Sequence, residues 1–135
     1  MKVNREELLK QLESVLPGLS TREIIEQSSC FIFKNKTVST FNDEIACLQK
    51  SLLKIEGAVQ AMPLISILRK LQEEELEIDT NDKNTQLLIK GKRRRVGVRM
   101  EQDIVLPVEA VDKPKKWKEL PANFADAIAL SLIHI

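Results

Sequence analysis

Apolar residues recur in this chain with two periods, and the pattern is stated twice. Leu8, Leu9, Leu12, Val15 and Leu16 follow the i, i+1, i+4, i+7, i+8 spacing of one buried helical stripe. Leu64, Ile65, Leu68 and Leu71 repeat Leu8, Leu9, Leu12 and Val15 at one constant offset. Around each helix lie short runs that read as strands. The order strand, helix, strand, strand, strand fills roughly residues 1–55 and returns up to about residue 100. Two units of this size must share a core, because neither buries its apolar face alone.

Local chemistry places the boundaries. Residues 1–3 form an opening strand. Asn4 is a good N-cap, and Glu7 three residues on completes a capping box. Pro17-Gly18 stops the helix near Leu16. Residues 19–27 are a polar connection containing Arg22. Residues 30–34 and 37–41 read as strands around a turn at Asn35-Lys36. Residues 44–55 follow a turn at Asn42-Asp43. Leu48, Leu52 and Ile55 would also suit a helix there, but the repeat requires a strand. In the second unit, residues 57–61 are a strand and Pro63 sits in the first turn of a helix running to about Glu73. Residues 76–79 alternate as a strand, residues 81–84 form a turn, and residues 86–90 and 93–100 make a hairpin around Gly91. Val96, Val98 and Met100 share one face of that last strand, and Arg95, Gly97 and Arg99 the other. The sheet is expected to be apolar toward the helices and charged toward water. Asp103 to Val111 is expected to pack on this first domain, and a polar, Pro-containing linker follows. Trp117-Lys118-Glu119-Leu120-Pro121 reads as a strand entering a third helix with Phe124, Ala127, Ile128 and Leu130. The domain reading is residues 1–111 as one α+β domain, 112–119 as linker and start of the next domain, and 120–135 as the next domain's first helix.

With 135 residues, 43% of them hydrophobic, the chain is long enough for a real core, which argues against disorder. The formal net charge is only +1, so any basic site must arise from local arrangement. Cys30 and Cys47 lie in apolar runs without metal or redox spacing, and read as ordinary buried thiols of a reducing compartment. Met1-Lys2-Val3 runs directly into charged residues rather than a signal peptide, and no apolar run has the length of a membrane helix. A cytoplasmic protein with no membrane partner is expected. No Ser/His/Asp set, metal spacing or glycine-rich phosphate loop is present, and there are only 4 glycines, so no enzyme, metal or cofactor is expected.

The chain resembles the N-terminal domain of the bacterial-type DNA sliding clamp, the beta subunit of the replicative DNA polymerase. The resemblance covers most of residues 1–114. It rests on the order of Met1-Lys2-Val3 with Arg5-Glu6-Glu7-Leu8-Leu9-Lys10, Asn42-Asp43-Glu44-Ile45, Met62-Pro63 through Leu68-Arg69-Lys70-Leu71, and Leu87-Leu88-Ile89-Lys90-Gly91-Lys92. Leu120-Pro121 before a helix resembles the opening of the family's second domain. The family usually carries a Pro-rich apolar stretch after a loop arginine; here Glu23-Ile24-Ile25-Glu26 follows Arg22, which suggests a divergent, phage-like member. The implied fold is a clamp domain of two βαβββ halves, with both helices packed on one side of antiparallel sheet. The implied function is that of a processivity factor. It would help encircle duplex DNA without reading its sequence, tether the DNA polymerase, meet a clamp loader and self-associate into a ring. Phosphate contacts would come from helix and loop cations: Arg69 and Lys70, then Arg22 and Lys10. Glu6, Glu7 and Glu13 share the first helix and mix its field.

Other features carry less. Lys90-Gly91-Lys92-Arg93-Arg94-Arg95 invites a nucleic-acid reading, but it spans a hairpin turn and an outward face where cations also discourage edge pairing. Trp117 at a domain junction reads as packing rather than a base-stacking platform. Glu73-Glu74-Glu75 reads as a solvated helix end. Residues 130–135 resemble the translation of a transposon end used in sequencing libraries, so the frame is expected to have been cut there and His134 carries no meaning. Two alternatives stand beside the clamp: a clamp-shaped interaction or structural domain that never encircles DNA, and a small nucleic-acid-binding domain using the basic hairpin directly.

Overall fold

The computed structural model describes residues 1–23, 25–107 and 116–133. The linker expected from residue 112 falls largely outside these, as do His134 and Ile135.

Each capping and turn signal acts locally. Asn4 ends strand β1 (Lys2–Asn4) and caps helix α1 (Arg5–Ser14), its Oδ1 accepting from the Glu7 N–H at 3.0 Å. Pro17 cannot continue the helix, and a 3-10 turn over Leu16–Gly18 follows. Strands β2 (Cys30–Lys34) and β3 (Thr37–Phe41) meet at Asn35 and Lys36, both at positive φ, 52° and 62°, as a two-residue hairpin requires. Asn42 builds the next turn with its side chain, accepting from the Glu44 and Ile45 N–H groups. Strand β4 is Ala46–Lys50. The strand expected over 44–55 is therefore shorter. Lys50 already pairs with Thr37, the first residue of β3, so residues 51–56 have no strand to join. They are not helical either, and Leu53 turns into the core.

The second unit repeats the plan: β5 (Gly57–Gln60), α2 (Ala61–Lys70), β6 (Glu75–Thr80), β7 (Gln86–Lys90) and β8 (Arg95–Glu101). Helix α2 stops at Lys70 rather than near Glu73, with Leu71 already extended. Helix α3 is Phe124–Ile133; the residues before it, 116–121, are exposed and form no strand.

Strand order is β1-β6-β7-β8-β5-β2-β3-β4, antiparallel at every step. Each unit has lent its first strand to the other: β1 pairs with β6, and β5 with β2. The exchange has matching joints. The Arg5 N–H donates to the Glu74 carbonyl at 2.8 Å, and the corresponding Ala61 N–H to the Ser29 carbonyl at 3.2 Å. The half-sheets join at β5–β8 through Ala58 opposite Glu101 and Val59 opposite Met100. Gly57, at φ 144°, makes this approach possible, because a Cβ there would lie 2.8 Å from the Glu101 carbonyl oxygen.

One core lies between the sheet and the two helices. Leu8, Leu12, Leu64, Ile65 and Leu68 pack on Phe31, Phe33, Val38, Val59, Leu76, Ile78, Leu87 and Ile89, all essentially inaccessible. Burying a side chain of this kind contributes about 1.5–3 kcal/mol. Both helices therefore share one side of the sheet, and the expected α+β fold of two βαβββ halves is the observed one.

The other side differs from expectation over half its width. On β6 to β8 it is charged and open. On β2 and β5, Cys30, Ile32 and Ala58 are covered by Ile25, Ile104 and Leu106, so β2 is buried on both faces.

Candidate nucleic-acid interface

The helix layer presents one polar surface. Apolar positions of α1 and α2 face the sheet, which leaves Glu6, Glu7, Lys10 and Glu13 outward on α1 and Met62, Arg69 and Lys70 outward on α2. Arg69 and Lys70 occupy the last turn of α2, where cations complement the carbonyl end of the helix. Arg69 does not stand alone. Its Nη2 and Nε lie 3.3 and 3.4 Å from Glu13 Oε1, an exposed ion pair that bridges the two helices. Lys10 sits on α1 beside Glu6, Glu7 and Glu13 in a shallow depression that Asn4 and Leu9 complete. Three cations and three carboxylates thus share the layer, and its field is nearly balanced.

Arg22 lies elsewhere, exposed in the connection after the 3-10 turn, where Ser20 Oγ donates to its carbonyl. It makes no described contact with Lys10, Arg69 or Lys70. Of the four expected site residues, the structure brings together Arg69 and Lys70, sets Lys10 on the neighbouring helix, and leaves Arg22 separate.

Two residues that sequence reasoning passed over hold this surface in place. Arg5 is mostly buried; its Nε donates to the Glu73 carbonyl at 2.9 Å and its Nη1 to the Leu68 carbonyl at 3.0 Å. It caps the end of α2 from the start of α1. Gln27 is buried at φ 66°. Its Nε2 donates to Glu101 Oε2 and to the Asp103 carbonyl, each at 2.8 Å, and its Oε1 accepts from the Val105 and Leu106 N–H groups. It ties the connection holding Arg22 to the segment that covers β2. No sequence signal marks Gln27, whose role depends on partners more than seventy residues away. Arg5 is conspicuous only as a cation at the first position of a helix, where an acid would suit the dipole better.

Nearby, burial and then the carboxylates of Glu23 and Glu101 push the Cys30 thiol up from an ordinary 9.0 to about 11. Both cysteines are free thiols, Cys47 half-buried. Among the described residues no group of three His, Cys, Asp or Glu is placed to hold a metal ion, and no helix is long and apolar enough to cross a membrane.

Solved structures of known proteins share this architecture. The DnaN sliding clamp (DNA polymerase III subunit beta) of Pseudomonas aeruginosa, bound to griselimycin, superposes with a TM-score of 0.62 at 20% identity over 87% of this chain. The beta subunit of DNA polymerase of Streptococcus pyogenes gives 0.63 at 15% identity over 89%. A putative DNA polymerase III beta subunit of Eubacterium rectale gives 0.64 at 15% identity over 88%. The chain has the fold of a bacterial sliding-clamp domain. It spans about a third of the length of these clamps, 33% in each case. No protein-family model and no curated protein matches this sequence. The fold is thus shared at 15–20% identity.

Proposed function

We propose that this chain is a domain of a DNA sliding clamp, a non-enzymatic processivity factor of the cytoplasm that helps encircle duplex DNA and tether a replicative polymerase. The observation that carries the reading is the placement of α1 and α2 side by side on one face of an exchanged, antiparallel eight-stranded sheet, in the fold of the bacterial clamps. In this reading the helix layer faces the duplex. Arg69 and Lys70 contact phosphate first, Lys10 and Arg22 second. Contacts that are few, basic and blind to sequence permit sliding, and the near balance of charge keeps them weak. Self-association into a ring supplies the retention that such contacts do not. Polymerase and clamp loader are the protein partners.

That same balance of charge also favours a second reading, a clamp-shaped interaction or structural domain that never surrounds DNA. Plasmid retention separates the two. The gene product is loaded on circular plasmid and the complex is challenged with salt, then with a single linearising cut. A clamp survives the salt on the circle and is lost after the cut. Equal retention on circular and linear DNA, or none on either, sinks the clamp reading. In the clamp, Arg69→Ala/Lys70→Ala weakens direct duplex binding and reduces the slope of log affinity against log salt by about 0.9 per lost contact.

A further inference from the structure

The densest run of cations in the sequence reaches the side of the sheet opposite the helices. Residues 90–99 contain six cations, Lys90, Lys92, Arg93, Arg94, Arg95 and Arg99, and no acid. None of the six forms an ion pair among the described residues. The register arranges them. Lys90 stands opposite Arg95 and Gln86 opposite Arg99, and all four project away from the core, since Leu87, Ile89, Val98 and Met100 are buried on the other face. Arg95 and Arg99 are about 13 Å apart along one strand. Between them lies Gly97, with Gln86 Oε1 3.1 Å from where a Cβ would sit.

The boundaries of this strip are as definite as its charge. On one flank β6 carries Glu75, Glu77 and Asp79 outward, all exposed, with Glu77 opposite Lys90. On the other flank, beyond the seam with β5, the segment through Ile104 and Leu106 covers the sheet. At one end the ladder opens into a polar groove lined by Lys83, Asn84, Gln86 and Arg99. At the other end the hairpin is fixed. The Gly91 N–H donates to the Arg94 carbonyl at 2.9 Å, and the glycine lies so close to the Glu73 carboxyl that a Cβ would meet it at 2.9 Å. The backbones of Lys90, Arg95 and Arg99 are thus fixed on a paired ladder, while Lys92, Arg93 and Arg94 extend from the turn that closes it.

We propose that this strip is a second nucleic-acid site, which takes the phosphate backbone of a single strand running along β8. A partner peptide fits it poorly. Strand β7 is paired on both sides and β8 meets β5 only at Met100 and Glu101, but the face of the strip is cationic and, among the described residues, offers no apolar groove for side-chain anchors. Guanidinium forks match phosphate oxygens. With no aromatic residue among positions 83–102, bases are not stacked or read. The acids of β6 repel a strand that strays from the line of β8. A duplex against the helix layer lies across the sheet from this strip, so the site goes beyond the clamp reading and stands or falls separately from it.

The test uses the whole chain and fluorescence anisotropy with labelled oligothymidine and with a random-sequence duplex. Arg95→Ala/Arg99→Ala should weaken oligothymidine binding at least tenfold at low salt. It should also reduce the slope of log affinity against log salt by about 1.4, two contacts at the single-strand value. Arg95→Lys/Arg99→Lys should retain most of the binding, and Arg69→Ala/Lys70→Ala should leave oligothymidine binding unchanged while lowering duplex binding. Unchanged affinity in Arg95→Ala/Arg99→Ala overturns the proposal. So does an equal loss of duplex and single-strand binding in that variant, or displacement of oligothymidine by oligoglutamate of the same charge at the same concentration.

Discussion

Gln27 has two amide hydrogens and two carbonyl lone pairs, and all four are used inside the protein. Replacing it with alanine leaves the Val105 and Leu106 N–H groups and the Asp103 carbonyl without their partner. An orphaned buried group costs about 1–3 kcal/mol; the Leu106 N–H is buried and the other two are part-buried, so Gln27→Ala should lower unfolding stability by about 1–3 kcal/mol, read as a shift of the urea midpoint. Cys30 makes the second prediction at this scale. Folding raises its thiol from 9.0 to about 11, so below pH 9 both folded and unfolded chains keep the proton and the group is silent. Between pH 9 and 11 the unfolded chain loses that proton first, and stability falls as pH rises. Chemical denaturation across this window should show a shallower fall in Cys30→Ala than in the parent. The helix cations Arg69 and Lys70 were legible as exposed charges, but the ion pair of Arg69 with Glu13 was not. Their positions are 56 residues apart, and no local rule brings them together.

At the level of elements, the doubled strand–helix–strand plan was legible because its signals are local: Asn4 as a cap, Pro17-Gly18 as a stop, Asn35-Lys36 as a turn, and leucines at helical spacing. The exchange of β1 and β5 was not, because two similar units pair their first strands equally well within or between themselves on pattern alone. Covering of β2 by Ile104 and Leu106 was hidden because more than seventy residues separate them from Cys30 and Ile32, though Asp103 onward was expected to pack on the domain. The exchange has an energetic consequence. Leu8 and Leu64 hold equivalent places, both fully buried in a single core. Leu8→Ala and Leu64→Ala should each cost about 2–5 kcal/mol. Since neither half owns a complete sheet, both variants should still unfold in one transition. Far-UV circular dichroism and amide exchange in each half, followed together through urea, check this; separate midpoints for the two halves would contradict it.

For the molecule as a whole, charge placement matters more than charge total. A net charge of +1 conceals a nearly neutral helix layer and a strongly basic strip on the opposite side. If the helix layer meets duplex DNA, Glu13 competes with phosphate for Arg69. Glu13→Gln should then tighten duplex binding about threefold, the scale of an exposed ion pair. A filter-binding titration at low salt measures it, and no change would remove Arg69 from the duplex contact. The lending of first strands between halves reaches furthest. Residues 51–56 are the only covalent bridge between one βαβββ unit and the next, and they belong to no ladder. Cleaved there, the polypeptide becomes two fragments, each needing the other's leading strand to complete its sheet. Assembly would then be bimolecular and dependent on concentration, as in a heterodimer that the intact bridge holds permanently at high local dose.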